Sequence, residues 1–383
     1  MNKLKNAWNK FPLTSHWRIW ISIPFIVIAI AIIAFGAYAG KYRSFESGIN
    51  IGIDFKGGTV LTVKMGDKYI GSNDGYDKYL GLVKDCVKSH AIADRVAEYA
   101  KENEMGELTF DIINPVIGYE QTSGSGSDLA LVVKFGNISS KFDDDANTLT
   151  KYRNSLIVTA IADAMAEEGI TLYENEEITA EYIGASASAK LLQLAVIALC
   201  VTVAIILIYV IVRFEVWSSL AAVISLIHDV AMMFCITIIC HIQINTAFVS
   251  AIITIVAYSI NNTIVIFDRV RENNKIAKQG GTPVAVRLLA DNSVRETTVR
   301  NFNSTVTTLV MILLFAAIGT SSVREFAVPV IAGLVAGFYS SMFLSPSLYV
   351  LMKEGWEGHK AKKAASGNIK VTRSKKGVEP AIK

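Results

Sequence analysis

A carboxyl group sits where the chain is otherwise most apolar. Asp229 lies about ten residues into the run SLAAVISLIHDVAMMFCITIIC, which at about 1.5 Å per residue is mid-membrane depth if the run spans a bilayer. Charged and unpaired there, a carboxylate is costly, so it is neutral, paired or facing water. Its sequence neighbour His228 is expected to point about 100° away around the helix. A second stretch, Asn245–Asn274, reads NTAFVSAIITIVAYSINNTIVIFDRVRENN. It carries Ser250, Thr254, Tyr258 and Asn261/Asn262 at helical spacing and ends in Asp268, Arg269, Arg271 and Glu272. A third, Arg300–Ile318, repeats Arg300, Asn303/Ser304 and Thr307/Thr308 on one face. Lipid cannot satisfy such polar lines, so each must face protein or water.

The chemistry these residues offer is movement of a proton or ion, with Asp229, Asn262, Arg300, Asn261, Tyr258 and Thr307 as the candidate pathway. Two readings stay open for the charged residues. Asp229 is either a titrating group or a carboxyl that hydrogen-bonds a neighbouring helix. Arg300 either turns inward toward Asn262 or snorkels to the surface. Asn262 lies about 9 Å of helix from Asp268, at a depth similar to Arg300, so the two polar-faced helices are expected to pack together. Ser250, Ala251, Thr254, Ser304 and Thr307 suit close helix contact as well as a water path. Other chemistry is not encoded. GxGxxG and GxxxxGK loops are absent, and Cys86, Cys200, Cys235 and Cys240 form no CxxC or Cys/His ligand spacing. The expectation is a protein that is not an enzyme and holds no cofactor or metal. Its energy would come from an ion gradient or a partner ATPase.

The elements that must hold these residues are membrane spans. Of 383 residues 52% are hydrophobic, the mean hydropathy is +0.39 and the apolar residues fall in long runs, which excludes an ordinary soluble protein. A spanning helix needs about 20 apolar residues. Six runs qualify: Ile19–Tyr38, Leu191–Val212, Leu220–Cys240, Ala247–Phe267, Arg300–Ile318 and Phe326–Met352. Lys3, Lys5, Lys10 and Arg18 precede the first run, which by the positive-inside rule places the N-terminus in the cytoplasm. An even number of spans returns the C-terminus to the same side. The first run lacks a small-residue cleavage site and is read as a retained helix.

The division expected is a cytoplasmic N-terminus at 1–18, the first span at 19–40 and an extracytoplasmic domain at 41–187. Spans two to six follow at 188–352, with a cytoplasmic loop at 268–298, and then a disordered basic tail at 353–383. The tail is read as a retention and solubility element, with contact to anionic membrane lipid or ribosomal RNA the alternative weighed for its basicity, and no nucleic-acid partner is expected. In the loop, Thr282-Pro283 signals a helix start, and Val284, Val286, Leu288 and Leu289 an amphipathic helix along the membrane face.

The insertion 41–186 holds 14 Lys/Arg against 24 Asp/Glu, a net of −10 in a chain whose total is +3. A solvated acidic surface is the plain reading, and attraction of basic unfolded segments the sharper one. Residues 50–64 read as a strand interrupted by Gly57-Gly58, and 74–103 as a helix. Glu107–Ile113 and Leu129–Phe135 read as strands around the loop QTSGSGSD (121–128). A helix from Asp143 to about Glu168 carries Leu156, Ile157, Ile161 and Met165 on one face, and Ile170–Ile183 is the last strand. The order β-α-β-β-α-β is that of a ferredoxin-like unit. Asp54, Gly57 and Gly58 lie at its start, where a structural role at the junction with the membrane is expected.

Several segments resemble the SecF family, the accessory subunit that works with SecD at the SecYEG translocon. They are GIDFKGGT (52–59), IGASASAK (183–190), LIHDV (226–230), AYSINNTIVIFDRVREN (257–273), and Arg300 with STVTTL (304–309). The resemblance implies a polytopic α-helical membrane protein of six transmembrane helices, half of an RND-type bundle, with the ferredoxin-like domain between helices one and two. It implies a multi-pass protein of the cell membrane, with unfolded preproteins as substrates and SecD and SecYEG as partners. It also implies an aspartate at the position of Asn262, tied to proton-driven action. Asparagine cannot titrate, so coupling would rest on a SecD carboxylate, move to Asp229, or use another ion. An RND-type small-molecule exporter subunit and a purely structural stabiliser of the translocon are the alternative readings. The middle of the outer domain is longer than the family pattern, and the tail matches nothing in it.

Overall fold

The computed structural model describes residues 12–42, 48–64, 73–105, 107–108, 116–121, 130–138, 143–168, 178–281, 284–319 and 321–375. A 3-10 turn at Thr14–His16 leads into α1 (Trp17–Tyr42). The α/β insertion follows as α2 (Ile53–Lys56), β1 (Gly58–Lys64), α3 (Asn73–Val87), α4 (His90–Glu102), β2 (Val116–Gln121), β3 (Ala130–Gly136), α5 (Asp143–Glu167) and β4 (Ile178–Ile183). The chain then returns to helices: α6 (Ala185–Arg213), α7 (Val216–Ile239), α8 (Thr246–Gln279), α9 (Val286–Ile318), α10 (Ser321–Tyr339), a π-helical segment Ser340–Leu344, and α11 (Ser345–Lys375).

Six helical stretches are long and apolar enough to cross a membrane: α1, α6, α7, α8, α9, and the run Val323–Lys360 through the π segment. Composition sorts them. α1 and α6 are apolar all round, with Ile26, Ile30, Ile33, Ile205, Ile208 and Ile211 exposed, as lipid-facing helices are. Their most apolar windows are 11% and 6% buried, against 50% for α8 and 67% for the last span, so those two form the middle of the bundle. They touch closely because Gly333 and Gly337 of α10 have no side chains. A Cβ on Gly333 would lie 2.5 Å from Ile255 Cγ1, and one on Gly337 3.2 Å from Ser259 Cβ.

The insertion forms one antiparallel sheet in the order β2–β3–β1–β4. Alternate residues of β1 and β3 point inward, and Leu61, Val63, Leu131, Val133 and Phe135 are buried against Val83, Val96, Leu149, Ile157 and Ile161 of the three helices. Strand one lies between strands three and four, which is the ferredoxin-like arrangement expected from the element order. Arg153 of α5, 1% exposed, donates to Gly136 O at 3.1 Å and lies over the Phe135 ring at 4.6 Å, clasping helix to sheet.

Several local expectations are corrected. Residues 50–64 are not one strand: Ile53–Lys56 is a helical turn, and the strand starts at Gly58. Gly57 takes φ +77 to make the change of direction, and a Cβ on Gly58 would meet Phe135 O at 2.7 Å. The helix expected over 74–103 is two helices. The second strand lies at Val116–Gln121 rather than 107–113; Glu107 and Leu108 are not in a strand, and 109–113 fall outside the described residues. Of the last strand, Ile178–Ile183 is seen as expected, and 170–177 fall outside the described residues. No separate amphipathic helix precedes the fifth span, because α9 runs unbroken from Val286; Thr282-Pro283 lie outside the described residues. The tail continues α11 as helix to Lys375 instead of losing structure after 353.

Candidate functional site

Asp229 is fully buried where α7, α8 and the π segment meet. Ser340 Oγ donates to its Oδ2 at 2.8 Å, and Ser259 Oγ of α8 donates to the same oxygen. His228 Nδ1 lies 2.8 Å from Oδ1. The expectation that His228 would point away is therefore corrected: adjacent side chains on one helix meet when both bend toward the same spot. The π segment begins at Ser340, and its wide turn accompanies the approach of that hydroxyl to Asp229. His228 Nε2 and, one turn before Asp229, Ser225 Oγ are buried with no hydrogen-bond partner among the described residues.

The polar line runs on from Ser259. One turn along α8, Asn262 is 1% exposed; its Nδ2 donates to Thr305 Oγ1 at 3.5 Å, and its carbonyl accepts from Asn301 Nδ2 at 3.4 Å. Tyr258 OH lies 3.4 Å from Ser304 Oγ on the same seam. So α8 and α9 pack through polar residues as expected, but Arg300 does not turn in to Asn262. Arg300 is exposed, and Asn301 beside it takes the inward place. The helical line read as one stripe is in fact two. Ser259 and Asn262 face the bundle, while Ser250, Thr254, Asn261, Arg300, Asn303 and Thr307 face outward. Ser250, Thr254 and Thr307 satisfy themselves on carbonyls of their own helices. The side chains of Asn261, Arg300 and Asn303 make no hydrogen bond among the described residues.

A second polar cluster joins the α/β domain to the bundle. Asp54 Oδ2 accepts from Thr246 N at 3.0 Å and Thr246 Oγ1 at 2.6 Å, on the first residue of α8. Asn245 caps the same helix by accepting from Phe248 N at 3.0 Å. Lys134 of β3 donates to Gln243 Oε1 at 3.1 Å and Glu325 Oε1 at 3.0 Å, and Asn245 Nδ2 donates to Glu325. Asn50 Nδ2 donates to His241 O at 2.7 Å, and Gly52 N to Ile244 O at 2.9 Å. Asp54, Gly57 and Gly58 thus belong to one docking turn. Sequence reasoning missed Ser259, Ser340, Lys134 and Glu325; the only available signal was Ser340-Ser341 breaking an apolar run.

Fold and site together define a polytopic membrane protein with a ferredoxin-like domain spliced between its first two spans and a buried carboxyl at the centre of its bundle. Residues 164–355 match the family model described as protein export membrane protein SecD/SecF, C-terminal, and residues 45–67 match the SecD/SecF GG motif. The chain belongs to the SecD/SecF family of protein export membrane proteins. It is 26% identical over 345 residues to protein translocase subunit SecF of Acidaminococcus fermentans, covering 90% of this chain and 98% of that one. The SecF of Rickettsia bellii is 28% identical, covering 88% and 92%. Protein translocase subunit SecDF of Bacillus subtilis is 34% identical over 158 residues, which is 41% of this chain and 21% of that one. Among solved structures, SecDF from Thermus superposes with a TM-score of 0.58 at 23% identity, covering 88% of this chain and 38% of that chain. A SecDF in a super-membrane-facing form gives 0.54 at 22%, covering 92% and 40%. The chain spans about two-fifths of the length of those SecDF chains.

Proposed function

We propose that this chain is the SecF-type accessory subunit of the Sec protein translocase, and that with a SecD-type partner half it assists export of unfolded preproteins through SecYEG. The carrying observation is the outward polar face: Asn261, Arg300 and Asn303 lie on spanning helices, and lipid cannot satisfy them. A partner with polar groups of its own must cover that face. The fused relative and the solved SecDF chains are each more than twice as long as the match, which leaves length for such a second half.

On this reading the α/β domain lies outside the cytoplasmic membrane and both termini inside, the orientation that the basic residues before the first span favour. The subunit performs no chemical step; it converts an ion gradient into motion. Asp229 is the group that changes charge. As a carboxylate it accepts from Ser259 and Ser340 through one oxygen. Once that oxygen is protonated it donates to one of the two hydroxyls, which must redirect its own proton, and the bonding between α8 and the last span is rearranged. Asn262 and Tyr258 extend the polar line to α9, and Asn261, Arg300 and Thr307 present it to the partner half. His228 bonds the other carboxyl oxygen through Nδ1, and its Nε2, without a partner among the described residues, gives the carboxyl a route for a proton. A small-molecule exporter is the weaker reading, because the relatives above are all protein translocase subunits.

A photo-crosslinking amino acid at Asn261 and Asn303 in living cells tests the partner face. Recovery of a SecD-type protein from both positions is the expected result. Crosslinks to lipid alone, or to a second copy of this chain alone, would remove the basis for the paired-half reading.

A further inference from the structure

Among the described residues β4 is an edge strand, and no strand pairs with the side of it away from β1. Ile178–Ile183 pairs with β1 on one side only, in an unbroken register from Val63↔Ile178 to Gly58↔Ile183. Alternate backbone N–H and C=O groups therefore face away from the sheet. Thr179, Ala180 and Glu181 are exposed, and none makes a side-chain hydrogen bond among the described residues. The inner face of the sheet is open there too. Along the row Val133, Leu61 and Ala180, which pair across the three strands, Val133 is 0% and Leu61 1% exposed, yet Ala180 is exposed. Helix α5 reaches β4 near its two ends, where Ile178 packs on the core and Tyr182 OH donates to Asn147, and leaves Ala180 between them exposed.

Edges that must not pair are blunted with proline, lysine or a bulge. This one has none of them, and the only charge on it is Glu181. It is about 20 Å long, enough for several main-chain hydrogen bonds to an added strand.

Charge chooses the occupant. The insertion carrying β4 has a net of −10. A second copy would bring another acidic edge against this one, so self-pairing is opposed. Resting on the translocase reading above, we infer that the β4 edge receives an extended segment of the unfolded polypeptide being exported, by strand addition, with preference for basic segments. Main-chain pairing suits this ligand because it reads backbone rather than sequence, so chains of unrelated sequence are held alike. The acidic surroundings add the bias toward lysine and arginine.

The test uses the full-length chain in detergent micelles and three fluorescent peptides: alternating lysine and threonine, alternating glutamate and threonine, and the lysine peptide with N-methyl groups on alternate residues. Fluorescence anisotropy is expected to show the lysine peptide bound at least about tenfold more tightly than the glutamate peptide. N-methylation, which removes the pairing N–H groups without touching the protein, should abolish binding. Photo-crosslinkers at Thr179 and Glu181, but not at Ser155 on α5, should capture the lysine peptide. Equal binding of the N-methylated peptide, or capture at Ser155 alone, overturns strand addition. Capture of a second copy or of the partner half at Thr179 and Glu181, with the peptide unable to displace it, assigns the edge to that protein and also overturns the inference. An export assay with Glu181→Lys separates the two levels. If the peptide does not pair while export still requires this chain, the edge assignment falls and the translocase reading stands. If export does not require the chain, that reading falls with it.

Discussion

Asp229 carries the most specific chemistry in the bundle. The carboxyl is sealed from solvent, and its hydrogen bonds come from two serines on two other helical segments and from the histidine beside it. Removing its ability to ionise while keeping its shape isolates the charge change from packing. Asp229→Asn is therefore expected to leave the amount of membrane-inserted protein unchanged. The gradient-dependent part of export should fall by about a hundredfold or more, the lower end of what a proton-transferring group contributes. Export into inverted vesicles, with and without an imposed gradient, measures this. A variant that keeps its full gradient dependence would move the titrating group to the partner half. Asn262 cannot take over that role, since an amide does not titrate and its side chain is engaged with Thr305.

The elements explain which expectations held. Spans were legible because hydropathy over a long run is a strong signal, and the apolar faces of α5 and β3 set the core of the insertion for the same reason. The Asp229 carboxyl was legible as an anomaly within an apolar run. Its serine partners were not, because contact between helices distant in the chain depends on Gly333 and Gly337 letting α10 approach α8, which no local pattern encodes. Of the two readings for Arg300 only the inward one fails: at about 100° per residue, Asn301 faces inward and Arg300 does not. The turn Ile53–Lys56 was hidden inside a strand-like sequence because its role is to hold Asp54 at the start of α8. Asp54→Asn keeps one acceptor but loses the charge that suits a helix N-terminus, and should cost about 1 kcal/mol. The expected outcome is less assembled protein on a quantitative blot, with export per assembled molecule unchanged. Normal assembly with reduced export would instead give Asp54 a direct part in transport.

At the scale of the whole molecule, sidedness is the property everything else depends upon. In a background without the four native cysteines, cysteine is introduced at Ser155 on α5 and, separately, at His359 on α11, both exposed positions. An impermeant maleimide added to intact cells is expected to label the first and not the second, and inverted vesicles should reverse the result. Labelling of both from one side would exclude the arrangement with the α/β domain outside and the termini inside.

The bond from Asp54 to Thr246 also has a mechanical meaning. α8 is a continuous helix of 34 residues, a stiff rod about 50 Å long. One end is gripped by the α/β domain; toward the other, Asn273 donates to Glu296 of α9 at 2.9 Å. Tension applied to the domain is thus delivered axially to a rod whose middle bears on Asp229 through Ser259. On the proposed reading, a load on one side of the membrane and the protonation of a buried carboxyl become two ways of displacing the same part.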